Sequence, residues 1–260
     1  MRRNPYLPCL EMRDPDAALT LFCLPHGGGS ATVYRDWRAI FPAWVDVQPV
    51  ELPGRGSLLS RPAVTDMDLL VTTVARAVLP AVDRPFAVFG HSMGATVAAE
   101  LTSWLCRYGH PAPGLMIASG RAAVPDLRLA AATAALPDDE LLTWLLGLGG
   151  TEPAAFLDPQ LTSIALRALR ADLTACVGYE KTFDRLPVPI LALGGDDDPG
   201  VQVAELERWN EQTSKAFRSV VLPGGHFYYR DQMSTVARLI TAELRLVPGV
   251  GTLAGEHRGG

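Results

Sequence analysis

Short apolar runs alternate with amphipathic stretches along most of the chain. Apolar runs of this kind are typical of parallel strands that are buried on both faces. The pattern predicts strands over residues 19–24, 45–50, 86–89, 115–118, 190–193 and 219–222. It predicts helices over residues 35–41, 66–79, 95–108, 201–211 and 233–246. We therefore predict an α/β fold with a mostly parallel central sheet flanked by helices.

One long region interrupts this alternation. Residues 121–185 contain no convincing strand, and their pattern predicts helices over residues 138–146 and 159–182. Acidic residues at 138–140 fit the first turn of a helix, where the helix dipole favours negative charge. Such insertions usually cover the carboxyl edge of the sheet, where ligands bind, so we expect a lid. A helical subdomain that serves only packing is the alternative.

The predicted domain boundaries follow from this insertion. The core is expected to comprise residues 1–120 and 186–247, and the lid residues 121–185. Residues 248–260 are rich in glycine and lack periodicity, so we expect a disordered tail. A chain of 260 residues, 48% of them hydrophobic, can bury one sizeable core.

Composition and charge argue against several classes of function. The net charge is −5 and no basic cluster is present, so nucleic-acid binding is not expected. No run of about 18 apolar residues and no signal segment occurs, so we expect no membrane span and a cytoplasmic protein. The five histidines lack metal-ligand spacing, so we expect no metal site. We also expect free thiols at four scattered positions, Cys9, Cys23, Cys106 and Cys176.

The pentapeptide Gly90-His91-Ser92-Met93-Gly94 is the most informative motif. It has the form G-x-S-x-G and lies between a predicted strand and a predicted helix, which is the context of a nucleophile elbow. Such a turn is strained and crowded, so the positions beside the serine must lack bulk. An ordinary turn between a strand and a helix is the alternative interpretation.

A serine hydroxyl needs a general base before it can act as a nucleophile, and the base needs an orienting carboxylate. In α/β-hydrolases the acid and then the histidine follow the serine along the chain. The candidate base is His226, which follows the last predicted strand and two glycines. A structural histidine is the alternative at this position. His91, beside the serine, is expected to support the elbow.

Three aspartates after the fifth predicted strand are candidates for the acid. Asp198 is preferred because Pro199 fixes the loop where the next helix begins. A solvated acidic loop is the alternative, and it applies above all to Asp196 and Asp197.

The loop after the first predicted strand, here named the glycine loop, reads LPHGGGS over residues 24–30. Acyl transfer needs backbone N–H donors aimed at the developing oxyanion. The expected donors are the N–H of Met93, directly after the nucleophile, and the N–H of Gly27, with Gly28 as second choice. Phosphate binding is the alternative, but both G-x-G-x-x-G and the Lys-Ser/Thr ending of a P-loop are missing.

These segments together resemble the stand-alone type II thioesterases that accompany modular polyketide synthases and non-ribosomal peptide synthetases, a family with the α/β-hydrolase fold. The resemblance extends to about residue 246. Besides GHSMG it is carried by LPHGGGS (24–30), YRDW (34–37), ELPGRG (51–56), ALRAD (168–172), GGDDDPGV (194–201) and PGGHF (223–227). The chain departs from the family in having Gly27 where alanine is usual. It also lacks a basic residue that is common soon after Gly56.

The resemblance implies hydrolysis of acyl groups from the phosphopantetheine arm of acyl or peptidyl carrier proteins, which clears aberrant or stalled chains. It implies that Ser92 attacks the thioester, His226 takes the proton and Asp198 orients the imidazole. It implies that Met93 and Gly27 bind the oxyanion and that water then hydrolyses the acyl-enzyme. No metal or cofactor is implied, since the phosphopantetheine belongs to the carrier partner, and we expect a monomer.

Three other functions remain open at this point. A carboxylesterase or lipase-like hydrolase would use the same three residues. An offloading or cyclising thioesterase is less expected, because the chain starts near its first strand. A catalytically inactive α/β-hydrolase fold could serve as a binding module, since the fold alone does not set the function.

Overall fold

The computed structural model describes residues 4–123, 127–149 and 156–250. Its strands are β1 (Leu19–Leu24), β2 (Val45–Pro49), β3 (Phe86–His91), β4 (Leu115–Ser119), β5 (Ile190–Gly195) and β6 (Phe217–Leu222). They form one parallel sheet in the order β2-β1-β3-β4-β5-β6. The predicted α/β-hydrolase class is confirmed, and each predicted strand is present with ends that differ by at most two residues.

The helices are α1 (Trp37–Ile40), α2 (Met67–Val78), α3 (Met93–Arg107), α4 (Leu127–Ala134), α5 (Asp138–Gly147), α6 (Pro159–Val177), α7 (Val203–Glu207) and α8 (Met233–Leu244). Asp66 caps α2 and Asp158 caps α6, each by accepting hydrogen bonds from backbone N–H groups of the first turn. The helix predicted over residues 201–211 is divided into α7 and a short 3-10 helix, Arg208–Gln212.

Two layers of helices cover the sheet and create two cores. Phe22 and Leu24 of β1 pack with α2 and α3, whereas Leu21 and Cys23 pack with α1 and α8. Every residue of β1 to β5 is buried, which explains why these strands are mostly apolar, although β2 also buries Asp46 and Gln48.

The insertion between β4 and β5 contains α4, α5 and α6. It has a small core of its own, formed by Leu141, Leu145, Leu166 and Leu169. The sequence pattern missed α4. It also extended α6 to residue 182, whereas the helix ends at Val177 and the chain turns toward α3. The turn is fixed by Glu100, which accepts hydrogen bonds from the Tyr179 hydroxyl (2.7 Å) and the Thr182 N–H (3.1 Å).

The expected tail begins at residue 248, and Val250 within it is buried against the second core. Residues 251–260 lie outside the described residues. All four cysteines are free, with Cys23 and Cys176 buried and Cys9 and Cys106 partly buried. In the described part of the chain, every helix is too short or too polar to span a bilayer.

Candidate active site

Ser92 occupies a sharp turn between β3 and α3. Its φ is 54°, and among the described residues no other non-glycine residue has a positive φ. The turn is fixed from both sides, because Ser92 N–H donates to Ser119 O (2.7 Å) and Ala95 N–H donates to Ser92 O (2.9 Å). Backbone strain of this kind is concentrated at functional sites, and it places the serine at the N-terminus of α3.

Two glycines make this turn possible by their lack of a side chain. A Cβ at Gly90 would lie within 3.0 Å of the carbonyl oxygen of Gly94. A Cβ at Gly94 would lie 2.6 Å from the carbonyl oxygen of Pro25. Both positions therefore need glycine because backbone atoms approach closely, and neither has a positive φ.

His226 and Asp198 form a hydrogen-bonded pair beside the serine. His226 Nδ1 lies 2.8 Å from Asp198 Oδ2, and the two side chains are 7% and 1% exposed. The carboxylate is held in turn by the Gly200 N–H, which donates to Asp198 Oδ1 at 2.8 Å. An Nδ1–H that donates to Asp198 leaves Nε2 as the ring atom able to accept a proton.

The other two aspartates of this loop do not contact the histidine. Asp196 is exposed, and its carboxylate accepts a hydrogen bond from the Gly224 N–H (2.9 Å), which ties the acid loop to the histidine loop. Asp197 is exposed as well. Of the three candidates, the structure brings Asp198 to His226.

Ser92 and His226 line the same cavity, but no hydrogen bond joins their side chains within the described residues. Catalytic hydrogen bonds are often long in the absence of substrate and tighten in the reacting complex. The geometry therefore places the serine beside its candidate base without an established proton-transfer contact.

The candidate oxyanion donors also lie at this cavity. Met93 and Gly27 line it, and in the described part of the chain neither N–H has a hydrogen-bond partner. The N–H of Gly28, by contrast, donates to Asp172 Oδ2 at 2.7 Å. Gly28 is therefore occupied, which leaves Gly27 as the donor that the glycine loop can offer.

The cavity has a volume of about 330 Å³ and lies between the carboxyl edge of the sheet and the insertion. Its floor holds Ser92, His226, His26 and the two candidate N–H donors. Its walls come from all three helices of the insertion, through Ala130, Thr133, Trp144, Leu145, Leu148, Leu169, Leu173 and Cys176. A candidate nucleophile beneath the mostly apolar wall that the insertion provides suits an acyl substrate.

Residues 19–244 match the family described as the thioesterase domain. The chain belongs to the thioesterase family. The protein is therefore an enzyme, a serine hydrolase that acts on thioesters.

One relative and one solved structure illustrate the likeness. The thioesterase is 35% identical over 233 residues to the gramicidin S biosynthesis protein GrsT of Aneurinibacillus migulanus, covering 89% of this chain and 91% of GrsT. It is similar to the type II thioesterase BorB from the borrelidin biosynthetic cluster, with a TM-score of 0.80 and 35% identity. That match covers 89% of this chain and 94% of BorB.

A further relative, LgrE of Brevibacillus parabrevis, is named a linear gramicidin dehydrogenase. It is 36% identical over 235 residues, covering 88% of this chain and 89% of LgrE. The glycine loop of the thioesterase lacks the G-x-G-x-x-G pattern that binds dinucleotides, because position 32 is threonine. The glycine loop therefore lacks the dinucleotide-binding pattern that the word dehydrogenase in the name of LgrE would suggest.

Two further buried histidines, His91 and His26, lie near the His226–Asp198 pair. His91 Nδ1 lies 2.9 Å from Ser119 Oγ, which is 2.6 Å from the Tyr228 hydroxyl, and its ring centroid is 5.0 Å from that of His226. Burial lowers the pKa of His91 well below its ordinary value, and the neighbouring His226 lowers it further. Burial also lowers the pKa of His26 to about 3, with smaller contributions from Arg230 and His226.

Acidification is expected to destabilise the thioesterase through His26. The ordinary pKa of 6.5 applies to the unfolded chain and about 3 to the folded one, so between these values only the unfolded state binds the proton. The protonation of His26 should then lower the free energy of unfolding by about 1.4 kcal/mol per pH unit as the pH drops from 6.5, in addition to the share of His91. Urea unfolding at pH 7, 6 and 5 measures this slope.

The matched comparison for this prediction uses two neutral replacements. His26→Gln should reduce the slope by about 1.4 kcal/mol per pH unit and leave the contribution of His91, whose pKa is also lowered by burial. His110→Gln, which removes a partly buried histidine stacked on Trp104, should keep the slope of the wild type. Equal slopes in the wild type and His26→Gln would contradict the assignment.

Two buried charged residues near the site were missed as functional candidates. Arg55 and Asp172 both lie in segments that carry the family resemblance, yet no role was predicted for either residue. The available signal was Asp172 itself, a carboxylate on a helix face that also carries Leu169, Leu173 and Cys176. In the described residues, no group of three or more His, Cys, Asp and Glu side chains could hold a metal ion.

Proposed function

We propose that this thioesterase hydrolyses acyl groups from the phosphopantetheine arm of acyl or peptidyl carrier proteins, and so removes aberrant or stalled chains from an assembly line for polyketides or non-ribosomal peptides. The observation that carries the proposal is the strained Ser92, which shares one cavity with His226, itself hydrogen-bonded to Asp198. BorB is named a type II thioesterase of a biosynthetic cluster, and GrsT a biosynthesis protein, which supports such a setting.

The first half of the reaction forms an acyl-enzyme. Ser92 Oγ attacks the thioester carbonyl carbon while His226 Nε2 takes the hydroxyl proton. Asp198 stabilises the resulting imidazolium through Nδ1–H, and the N–H groups of Met93 and Gly27 bind the oxyanion. The tetrahedral intermediate collapses, the C–S bond breaks, and His226 returns the proton to the departing thiol.

The second half releases the acid. Water enters the position left by the thiol, and His226 accepts its proton as the hydroxyl oxygen attacks the acyl carbon of the ester on Ser92. The same two N–H groups bind the second oxyanion. Cleavage of the ester returns the proton to Ser92 Oγ, and the carboxylic acid leaves. This chain supplies every group that these steps require.

The insertion serves this chemistry as a lid that holds the acyl chain. Apolar side chains of α5 and α6 line the cavity that contains Ser92. Trp144 of α5 is the largest side chain of this wall. Acyl chains that extend from Ser92 toward α5 would meet its ring.

Removal of the Trp144 ring is expected to change the preference for acyl chain length. Trp144→Ala should raise kcat/KM for a long acyl chain relative to propionyl by about 10-fold, because the added space accommodates further methylene groups. Competition between propionyl and decanoyl groups on the same carrier protein measures the ratio. Tyr108→Ala, which removes an exposed aromatic residue outside the cavity, is the control and should leave the ratio unchanged.

The decisive experiment compares two kinds of substrate. Acetyl, propionyl and longer acyl groups are loaded on a holo carrier protein, and their release is followed beside the hydrolysis of p-nitrophenyl esters of the same acids. Faster unloading of the carrier, relative to the ester of the same acid, is the expected result. Ester cleavage without unloading would overturn the proposal in favour of a general carboxylesterase. Neither reaction would indicate a binding module.

A further inference from the structure

A buried ion pair joins the insertion to the loop that follows β2. Asp172 on α6 and Arg55 have side chains that are only 1% and 4% exposed. Arg55 Nη2 donates to Asp172 Oδ1 at 2.7 Å, and Arg55 Nη1 donates to Oδ2, so the contact is bidentate. Asp172 Oδ2 also accepts the hydrogen bond from the Gly28 N–H at 2.7 Å. One carboxylate thus fixes both a guanidinium and the glycine loop.

The glycine loop is held by buried side chains at further points. Arg55 Nη1 approaches the carbonyl oxygen of Gly29 at 3.4 Å, and Arg55 Nη2 donates to its own loop at Pro53 O (3.2 Å). Glu51 accepts a hydrogen bond from the Ala31 N–H at 3.1 Å. The loop therefore takes its position from charged groups that lie outside it.

Helix α6 also packs directly on the glycine loop. A Cβ at Gly28 would lie 3.1 Å from Leu169 Cβ, and a Cβ at Gly27 would lie 3.4 Å from Leu169 Cδ1. The same helix contributes Leu169, Leu173 and Cys176 to the cavity wall. A displacement of α6 would therefore move both the acyl-binding wall and the glycine loop.

We propose that Asp172, held by Arg55, is a positioning residue for the oxyanion hole. By fixing the Gly28 N–H it orients the peptide that precedes it, so that the Gly27 N–H faces the carbonyl oxygen of the substrate. Misplacement of such a group by about 1 Å can cost 100-fold in rate. A buried ion pair adds little net stability, because desolvation offsets the attraction, so its contribution here is geometric. The inference rests on the proposed serine mechanism.

The test compares three altered proteins with one control. Asp172→Asn weakens the contact with little change of shape, and Arg55→Lys keeps the charge but removes the bidentate geometry. The double variant Arg55→Met/Asp172→Leu removes both charges, so that neither is left buried and unpaired. Asp138→Asn is the control, because it breaks the exposed pair between Asp138 on α5 and Arg170 on α6, which is 2.6 Å long.

Steady-state rates are measured with propionyl-loaded carrier protein and with p-nitrophenyl propionate, and thermal melting identifies folded variants. Affinity is measured for a boronic acid that forms a tetrahedral adduct with Ser92. For the three altered proteins we expect kcat to fall about 30- to 100-fold on both substrates. Their KM values should stay within about 3-fold of the wild-type KM. Boronate affinity should fall by a similar factor, and Asp138→Asn should match the wild type.

Several results would overturn the proposal. A folded double variant with wild-type kcat would do so. A change that affects KM and leaves kcat unaltered would also do so, as would a fall of kcat in Asp138→Asn equal to that in the three altered proteins. Should either single variant fail to fold, the double variant decides. A wild type that cleaves the ester but does not unload the carrier would instead refute the proposed substrate, and the ester would still report on Asp172.

Discussion

Ser92→Ala is expected to lower kcat/KM for carrier unloading by about 10⁴-fold or more, the loss seen when a member of a serine triad is removed. The substitution keeps the Cβ and therefore the same backbone requirement at φ 54°. It removes the hydroxyl oxygen that is proposed to attack the thioester. Release of the acyl group from the carrier measures the loss, and labelling by a fluorophosphonate should disappear with it.

The control for this prediction lies on the helix that follows the serine. Ser103→Ala removes another hydroxyl of α3, one whose Oγ lies 3.4 Å from Thr182 Oγ1 and outside the cavity, and it should keep full activity. Residues that act as one unit give non-additive losses. His226→Ala should accordingly cost about as much as Ser92→Ala, and the double variant little more. If the factors by which the two single variants lose activity multiplied in the double variant, a shared mechanism would be contradicted.

The sheet could be predicted from the sequence because burial is nearly uniform along its strands. Every position of β1 to β5 is buried, so most of their residues are apolar, and Asp46 and Gln48 of β2 are the clearest exceptions. The edge strand β6 shows the limit of this signal. Its first two residues, Phe217 and Arg218, are partly or fully exposed, and the prediction started two residues late at 219. The edge position alone does not explain this exposure, because β2 lies at the other edge of the sheet and is buried throughout.

The helices of the insertion were harder to predict for a different reason. The segment of α4 reads LRLAAATA, in which alanine favours helix but hardly distinguishes a buried face from an exposed one. A method that relies on hydrophobic periodicity therefore passes over it. The end of α6 was missed because Glu100, which draws the chain away, lies on α3 and is separated by 82 residues from Thr182.

The candidate catalytic residues could be placed because each follows a strand. Ser92, Asp198 and His226 come one, three and four residues after the ends of β3, β5 and β6. Parallel strands bring their carboxyl ends to one edge of the sheet. No such rule locates Arg55 and Asp172. Their ion pair joins residues that are 117 positions apart in the sequence, and it depends on how α6 packs against the rest of the protein. Charge at an apolar position shows that a partner must exist, but not which residue it is.

Gly94→Ala is expected to lower the free energy of unfolding by about 3 kcal/mol or more, the upper range for overpacking, because the new Cβ meets backbone and not a movable side chain. It would lie 2.6 Å from Pro25 O, and β1 and the elbow cannot separate without loss of the sheet contacts around them. Gly90→Ala should behave similarly, since its Cβ would meet the carbonyl of Gly94. Urea unfolding measures both changes.

A glycine in open space gives the matched control. A Cβ at Gly147, the last residue of α5, would meet nothing within 4 Å, and the φ of this residue is not positive. Gly147→Ala should therefore be neutral or stabilise the protein by about 0.5 kcal/mol, through the lower entropy of the unfolded chain. If Gly94→Ala were as stable as Gly147→Ala, the close approach of β1 to the elbow would be wrong. The position assigned to Ser92 relative to the glycine loop would then be wrong with it, because Gly94 fixes the distance between them.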